Sequence, residues 1–144
     1  MSHSRLSFLA AFGVALSFAL APAAADVLKY KAELSGPGEN PPTTSKGTGS
    51  IEADYDTATK TLSWSGDYSD LTGPETAAHF HGPAAKGANA GVLVPVDAKS
   101  SPFKGSAVLT PEQAKDFEDG LVYFNVHTAQ NKAGEIRGQL APVK

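Results

Sequence analysis

Not one of the 144 residues is cysteine, so disulfides, thiolate metal sites and cysteine nucleophiles are all excluded. A large excess of either charge is also missing. Twelve basic residues face fifteen acidic ones, for a formal net charge of −3, and no basic cluster invites nucleic acid. After residue 25 no run is apolar enough to span a bilayer, which takes roughly 20 residues. The chain has no Asn-x-Ser/Thr sequon, an absence that leans toward a bacterial periplasm over a eukaryotic secretory route. It also lacks a G-x-S-x-G elbow, a P-loop, a dinucleotide fingerprint and a haem attachment motif. Carboxylates are present, but none stands out as half of a glycosidase pair.

The first 25 residues do have a recognisable purpose. A positive start at Arg5 is followed by an apolar stretch from Leu6 to Leu20, then by Ala23-Ala24-Ala25 ahead of Asp26. This is the layout of a cleavable signal peptide, and it predicts a periplasmic or secreted protein with a single domain over residues 26–144. Taking 25 from 144 leaves 119 residues, enough for one modest core. Arg5 leaves with the signal, so 11 basic residues then face 15 acidic ones.

Short alternating runs punctuated by Gly, Pro, Asn and Asp predict an antiparallel β domain. Strands are expected near 27–35, 48–55, 60–68, 76–81, 91–96, 104–109, 121–128 and 134–141, the second and third joined as a hairpin across Asp56-Thr57-Ala58-Thr59. One helix interrupts them: Thr110 caps it, Pro111 occupies its first position, Gln113 completes a capping box and Gly120 ends it. The expected fold class is all-β, an antiparallel Greek-key sandwich or flattened barrel of about eight strands with one short helix. Ser35 to Gly49 and Gly82 to Gly91 are expected as loops.

Histidine carries the strongest chemical signal. In His79-Phe80-His81 the two imidazoles share one face of an extended strand while Phe80 packs the other. His127 closes the run Leu121 to Thr128, in which Tyr123, Asn125 and His127 share a face and Val122, Phe124 and Val126 fill the core. Glu135, Arg137 and Gln139 are expected on one face of the last strand. If that strand pairs with its predecessor, His79, His81, Asn125, His127, Glu135 and Arg137 gather together. Three imidazoles suit a late first-row metal, copper first and zinc second, with water or a carboxylate in a fourth position. Glu135 is a candidate to orient one of the rings. The alternative is a buried hydrogen-bonded cluster, with Glu135 and Arg137 as partners in a charge network and Glu39 as a further acceptor for the guanidinium.

Several motifs taken together resemble the chordin-type CHRD domain: L-S-G-P-G-E-N-P-P from Leu34, A-A-H-F-H-G-P from Ala77, the Leu109-Thr110 helix entry, and Y-F-N-V-H-T followed by G-E-I-R-G-Q-L. The resemblance spans residues 34–140. It implies an all-β domain, found singly in exported bacterial proteins and repeated in the animal protein chordin, with no established enzymatic activity. The family's motifs fall on His79 and His81, on Asn125, His127 and Thr128, and on Gly134, Glu135, Arg137 and Gly138; Phe80 stands where an aliphatic residue is more usual. A looser likeness to copper-zinc superoxide dismutase rests on the H-F-H triplet and β character alone. The expected function is therefore an exported, non-enzymatic binding domain holding a metal ion through His79, His81 and His127. The alternatives are a structural or protein-interaction domain and a copper-dependent redox enzyme. A metal ion or a protein is the expected partner, with no nucleic acid and no membrane span once the signal is removed.

Overall fold

The computed structural model describes residues 24–144. The signal peptide expected over residues 1–25 therefore lies, but for its last two residues, outside the described residues. No helix among the described residues is long and apolar enough to cross a membrane.

The strands are β1 (Val27–Ser35), β2 (Thr48–Asp56), β3 (Thr61–Ser69), β4 (Glu75–His81), β5 (Val92–Val96), β6 (Phe103–Val108), β7 (Tyr123–Thr128), β8 (Ile136–Gln139) and β9 (Ala141–Pro142), with one helix, α1 (Pro111–Glu118), between β6 and β7. Alternation explains them. In β1, Tyr30, Ala32 and Leu34 are buried while Lys29, Lys31 and Glu33 face solvent. In β2, Ile51, Ala53 and Tyr55 do the same. The expected hairpin joins β2 to β3, with Asp56 paired to Thr61 and the Asp56 carboxylate accepting from the Ala58 and Thr59 amides in the turn.

The sheet is antiparallel and nearly closed into a barrel, in the order β5-β4-β7-β8-β1-β2-β3-β6, with β9 also pairing with β1. The fold class is that expected from the sequence. Two features of the order position the site. Chain-distant β4 and β7 become neighbours, and β8 folds back beside β7.

Aromatic side chains fill the barrel. Phe80 lies 5.4 Å from Trp64 and 5.0 Å from Phe124, ring centre to ring centre. Full burial of one such ring contributes roughly 1.5–3 kcal/mol. Helix α1 adds Phe117, which sits 5.6 Å from both Tyr30 and Phe80. Its start is as expected: Thr110 accepts from the Gln113 amide and Gln113 reaches back to the Thr110 amide. Gly120, just past the end, has φ +72°, which glycine adopts without strain.

The outward face of β4, β7 and β8 is roofed by two loops and does not open to solvent in the usual way. Residues 36–47 start with a 3-10 turn at Gly36–Gly38, and residues 82–91 are held against the sheet where Tyr123 bonds the Ala90 backbone and Arg137 bonds Ala88 and Asn89. The loops lock together where the Asn40 side chain donates to the Gly87 carbonyl (2.8 Å) and the Asn89 side chain donates to the Asn40 carbonyl (2.9 Å). Under this roof, outward-facing Asn125 and Arg137 are as buried as core residues.

Candidate metal centre

Strand geometry alone brings the histidines together. On β4, His79 and His81 project outward while Phe80 fills the barrel, as the alternation predicts. The antiparallel register sets His79 opposite Asn125, His81 opposite Tyr123 and Ala77 opposite His127, so that His127 lies diagonally beside His79. Ring centres are 5.0 Å apart for His79 and His127, 5.3 Å for His79 and His81, and 6.2 Å for His81 and His127. One nitrogen from each ring lies within 4.8 Å of the others, close enough for the three to hold one metal ion.

Two backbone carbonyls fix which nitrogens are available. His127 Nδ1 lies 2.9 Å from the Lys132 carbonyl and His81 Nδ1 lies 3.0 Å from the Ala90 carbonyl. A carbonyl only accepts, so in the neutral rings both Nδ1 atoms carry the proton and both Nε2 atoms carry a lone pair. His79 Nδ1 then donates to His127 Nε2 across 3.2 Å. His81 Nε2 is different: it is buried and has no hydrogen-bond partner among the described residues. A buried, unpaired acceptor costs about 1–3 kcal/mol in desolvation unless something fills its place. Rings steered through one nitrogen with the other left bare are the usual arrangement of metal-binding histidines.

The surroundings of His79 and His81 disfavour their protonated forms. Burial lowers the His79 pKa below its ordinary value, helped by His127 and His81. Burial likewise lowers that of His81, opposed in part by the Ala90 carbonyl. Neutral imidazole is the form that binds metal.

Behind His81 stands a stacked column. The Tyr123 ring lies parallel to His81 (6°, centres 4.8 Å apart), and the Arg137 guanidinium lies 3.4 Å from the centre of the Tyr123 ring. Arg137 donates to the Asn89 side chain (2.8 Å) and the Ala88 carbonyl (2.6 Å), which ties the column to the roof loop. The Tyr123 hydroxyl adds a contact to the Ala90 backbone.

The expected supporting network needs two corrections. Glu39 is not a direct acceptor for Arg137, whose donors go to the roof loop; instead it accepts from the Asn125 side chain at 3.3 Å, and the guanidinium acts on it through space. Glu135 neither pairs with Arg137 nor orients a histidine. Its fully buried carboxylate accepts from Ser45 (2.6 Å), the Thr72 amide (2.8 Å) and hydroxyl (2.6 Å), Thr128 (2.5 Å) and Asn131 (3.1 Å). Thr128 alternates with His127, so this cage lies away from the imidazoles. The reason is local: β8 starts at Ile136 rather than at 134, so Glu135 lies ahead of the strand whose alternation would have put it in line with Arg137. The orienting role expected of Glu135 belongs to the carbonyls of Ala90 and Lys132, which carry no signal in a sequence. Tyr123 was legible as a member of the shared face, but its stack depends on the pairing of β4 with β7.

Comparison with known proteins gives one family: a family model described as the CHRD domain matches residues 30–140. No curated protein and no solved structure matches the chain.

Proposed function

The chain belongs to the CHRD-domain family, and from that premise we propose that it is an exported, non-enzymatic binding domain whose His79, His81 and His127 hold a divalent late first-row metal ion. Copper is the first choice and zinc the second. The observation that carries this reading is a group of three histidines with one nitrogen of each ring within 4.8 Å of the others, among them His81, whose Nε2 is buried and unpaired among the described residues.

The residues fit such an ion. Two nitrogens that each bind one metal at about 2.0–2.1 Å in tetrahedral arrangement stand about 3.3 Å apart. His79 Nδ1 and His127 Nε2 are separated by 3.2 Å. Binding asks His79 to move its proton from Nδ1 to Nε2, a tautomer change without net charge. An all-imidazole set favours copper(II) or zinc over calcium or magnesium, which prefer oxygen. Export, expected from residues 1–25, would bring the domain to a compartment where such ions are met outside the cytoplasm.

A titration with Cu²⁺ and with Zn²⁺ tests the reading, comparing the protein with the variant carrying His79→Ala, His81→Ala and His127→Ala. Specific, one-to-one binding by the native protein alone is expected. A free ion at 100 times the dissociation constant should stabilise the fold by about 2.7 kcal/mol. Equal binding by both proteins would refute it. A second reading, that the cluster only braces the roof loops within a protein-interaction domain, is favoured by the His79–His127 hydrogen bond, which satisfies those rings without an ion. It predicts no melting shift with either metal.

A further inference from the structure

We infer that Glu39 is the proton-linked counter-charge of the histidine site: a divalent ion settling on the imidazoles is taken up in exchange for the proton on the Glu39 carboxyl, with the Asn125 amide as the link. This rests on the metal-binding reading above and adds to it a residue that no histidine touches directly.

The geometry begins with the 3-10 turn at Gly36–Gly38, which folds the Glu39 amide back onto the Gly36 carbonyl (3.1 Å) and directs the side chain inward. The residue is only 6% exposed. Its carboxylate occupies the space above Gly134 where any Cβ would stand, and it forms one wall of a groove of about 420 Å³ between residues 39–44 and 130–134. The groups that face it are few. Asn125 donates from β7, the Asn40 amide approaches from the chain itself, the Arg137 guanidinium acts from β8 with its hydrogen bonds committed elsewhere, and exposed Lys132 lines the far side of the groove. Burial outweighs all the attractive contacts and pushes the Glu39 pKa up to about 7. A carboxyl with that midpoint carries a proton in about half the molecules at neutral pH.

Asn125 connects this carboxyl to the site. Its Nδ2 donates to Glu39 Oε1, while its Oδ1 is buried without a donor, as His81 Nε2 is. Asn125 also lies beside the His81 ring, where its influence favours positive charge on the imidazole. Two buried acceptors with no donor between them form a spot that attracts a cation. An ionised Glu39 can only accept, so it holds the amide with Nδ2 toward itself and Oδ1 free beside the histidine. A protonated Glu39 can donate to Oδ1 instead and lets the amide turn over. An arriving divalent ion favours the first arrangement and expels the proton to solvent: M²⁺ plus the neutral carboxyl gives the bound ion, a carboxylate and H⁺.

The test is calorimetric titration with Zn²⁺ near pH 7 in two buffers of different protonation heat, on the native protein and on Glu39→Gln. Histidine protons are common to both proteins and cancel. The native protein should release about half a proton more per zinc than the variant, and the variant should bind more weakly. Because Glu39→Gln could disturb the fold, carboxyl ¹³C NMR of the native protein gives a second measurement: the Glu39 midpoint should fall by more than about one pH unit when zinc is bound. Equal proton release together with an unmoved midpoint overturns the inference while leaving metal binding intact. Failure of the native protein to bind zinc or copper overturns both.

Discussion

Replacing Glu135 by Gln should destabilise the protein by about 3 kcal/mol at neutral pH, and the loss should vanish in strong acid. Glu135 is fully buried, and burial by itself would raise its pKa, yet hydrogen bonds from Ser45, Thr128 and Thr72 win and hold it down at about 2, against an ordinary 4.5. The sign follows from the direction of the shift. A carboxyl with a folded pKa below its unfolded one stabilises the fold fully above the unfolded value, and loses that contribution as the pH falls through the folded value. The window here runs from about 4.5 down to about 2. Each pKa unit corresponds to about 1.36 kcal/mol, so the gap of roughly 2.5 units amounts to about 3 kcal/mol. Gln approximates the protonated acid: it keeps the shape and one acceptor but cannot accept on both oxygens. Urea unfolding of both proteins at several pH values between about 7 and 2 measures the difference directly. Other carboxylates titrate in both proteins and cancel. A gap between the two that stays constant from pH 7 to pH 2, roughly the span of carboxylate titration, would refute the reasoning, because the cage would then act through shape and not through charge.

Gly134→Ala should cost at least about 2 kcal/mol in the same assay, since its φ of +134° strains any side chain and its Cβ would collide with Glu39 and Asn125. That variant should also bind metal more weakly if Asn125 is displaced. Phe80→Ala should cost about 3–5 kcal/mol, because it empties a fully buried position among Trp64, Phe117 and Phe124. Reduced near-ultraviolet dichroism from the single tryptophan, which packs against Phe80, would accompany it.

Much of the fold could be read from alternation. The positions of β1 to β7 and the boundaries of α1 follow from side-chain period and capping chemistry, which are local. The sharing of a face by Tyr123, Asn125 and His127, and the opposition of Phe80 to its flanking histidines, follow from the same period of two. Strand order is not local. Nothing in the residues of β4 states that it lies beside β7, and the convergence of His79 with His127 depends on that pairing. The roles assigned to Glu135 and Glu39 went astray for another reason. The role of Glu135 follows from counting along an ideal strand, whereas the residue lies ahead of β8 after a glycine at φ +134°; Glu39 lies in a segment expected as a loop, where no period fixes its partner, and it follows a 3-10 turn. Hydroxyls that could cage a buried carboxylate, those of Ser45, Thr72 and Thr128, come from three separate segments and are recognisable only once folded.

The two buried carboxylates show how one small barrel separates structural from responsive charge. Glu135 has five donor contacts, all from neutral groups, and is held ionised far below neutral pH. It fixes the turn containing Asn131, next to Lys132, whose carbonyl orients His127. Glu39 is nearly as buried but has a single side-chain donor, Asn125, and sits near the midpoint of its titration at neutral pH. Desolvation weighs more heavily on Glu39 while Glu135 has the larger set of donors, and the two effects act in the same direction to separate their pKa values. A carboxylate surrounded by donors gains nothing from a nearby cation, whereas one left short of them does. The side of β7 that faces the histidines is the side short of donors, since His81 Nε2 and Asn125 Oδ1 are both unpaired there. Among the buried unpaired atoms of the described residues, these two adjoin the three imidazoles, and that shared deficit is the physical ground on which a cation is proposed there.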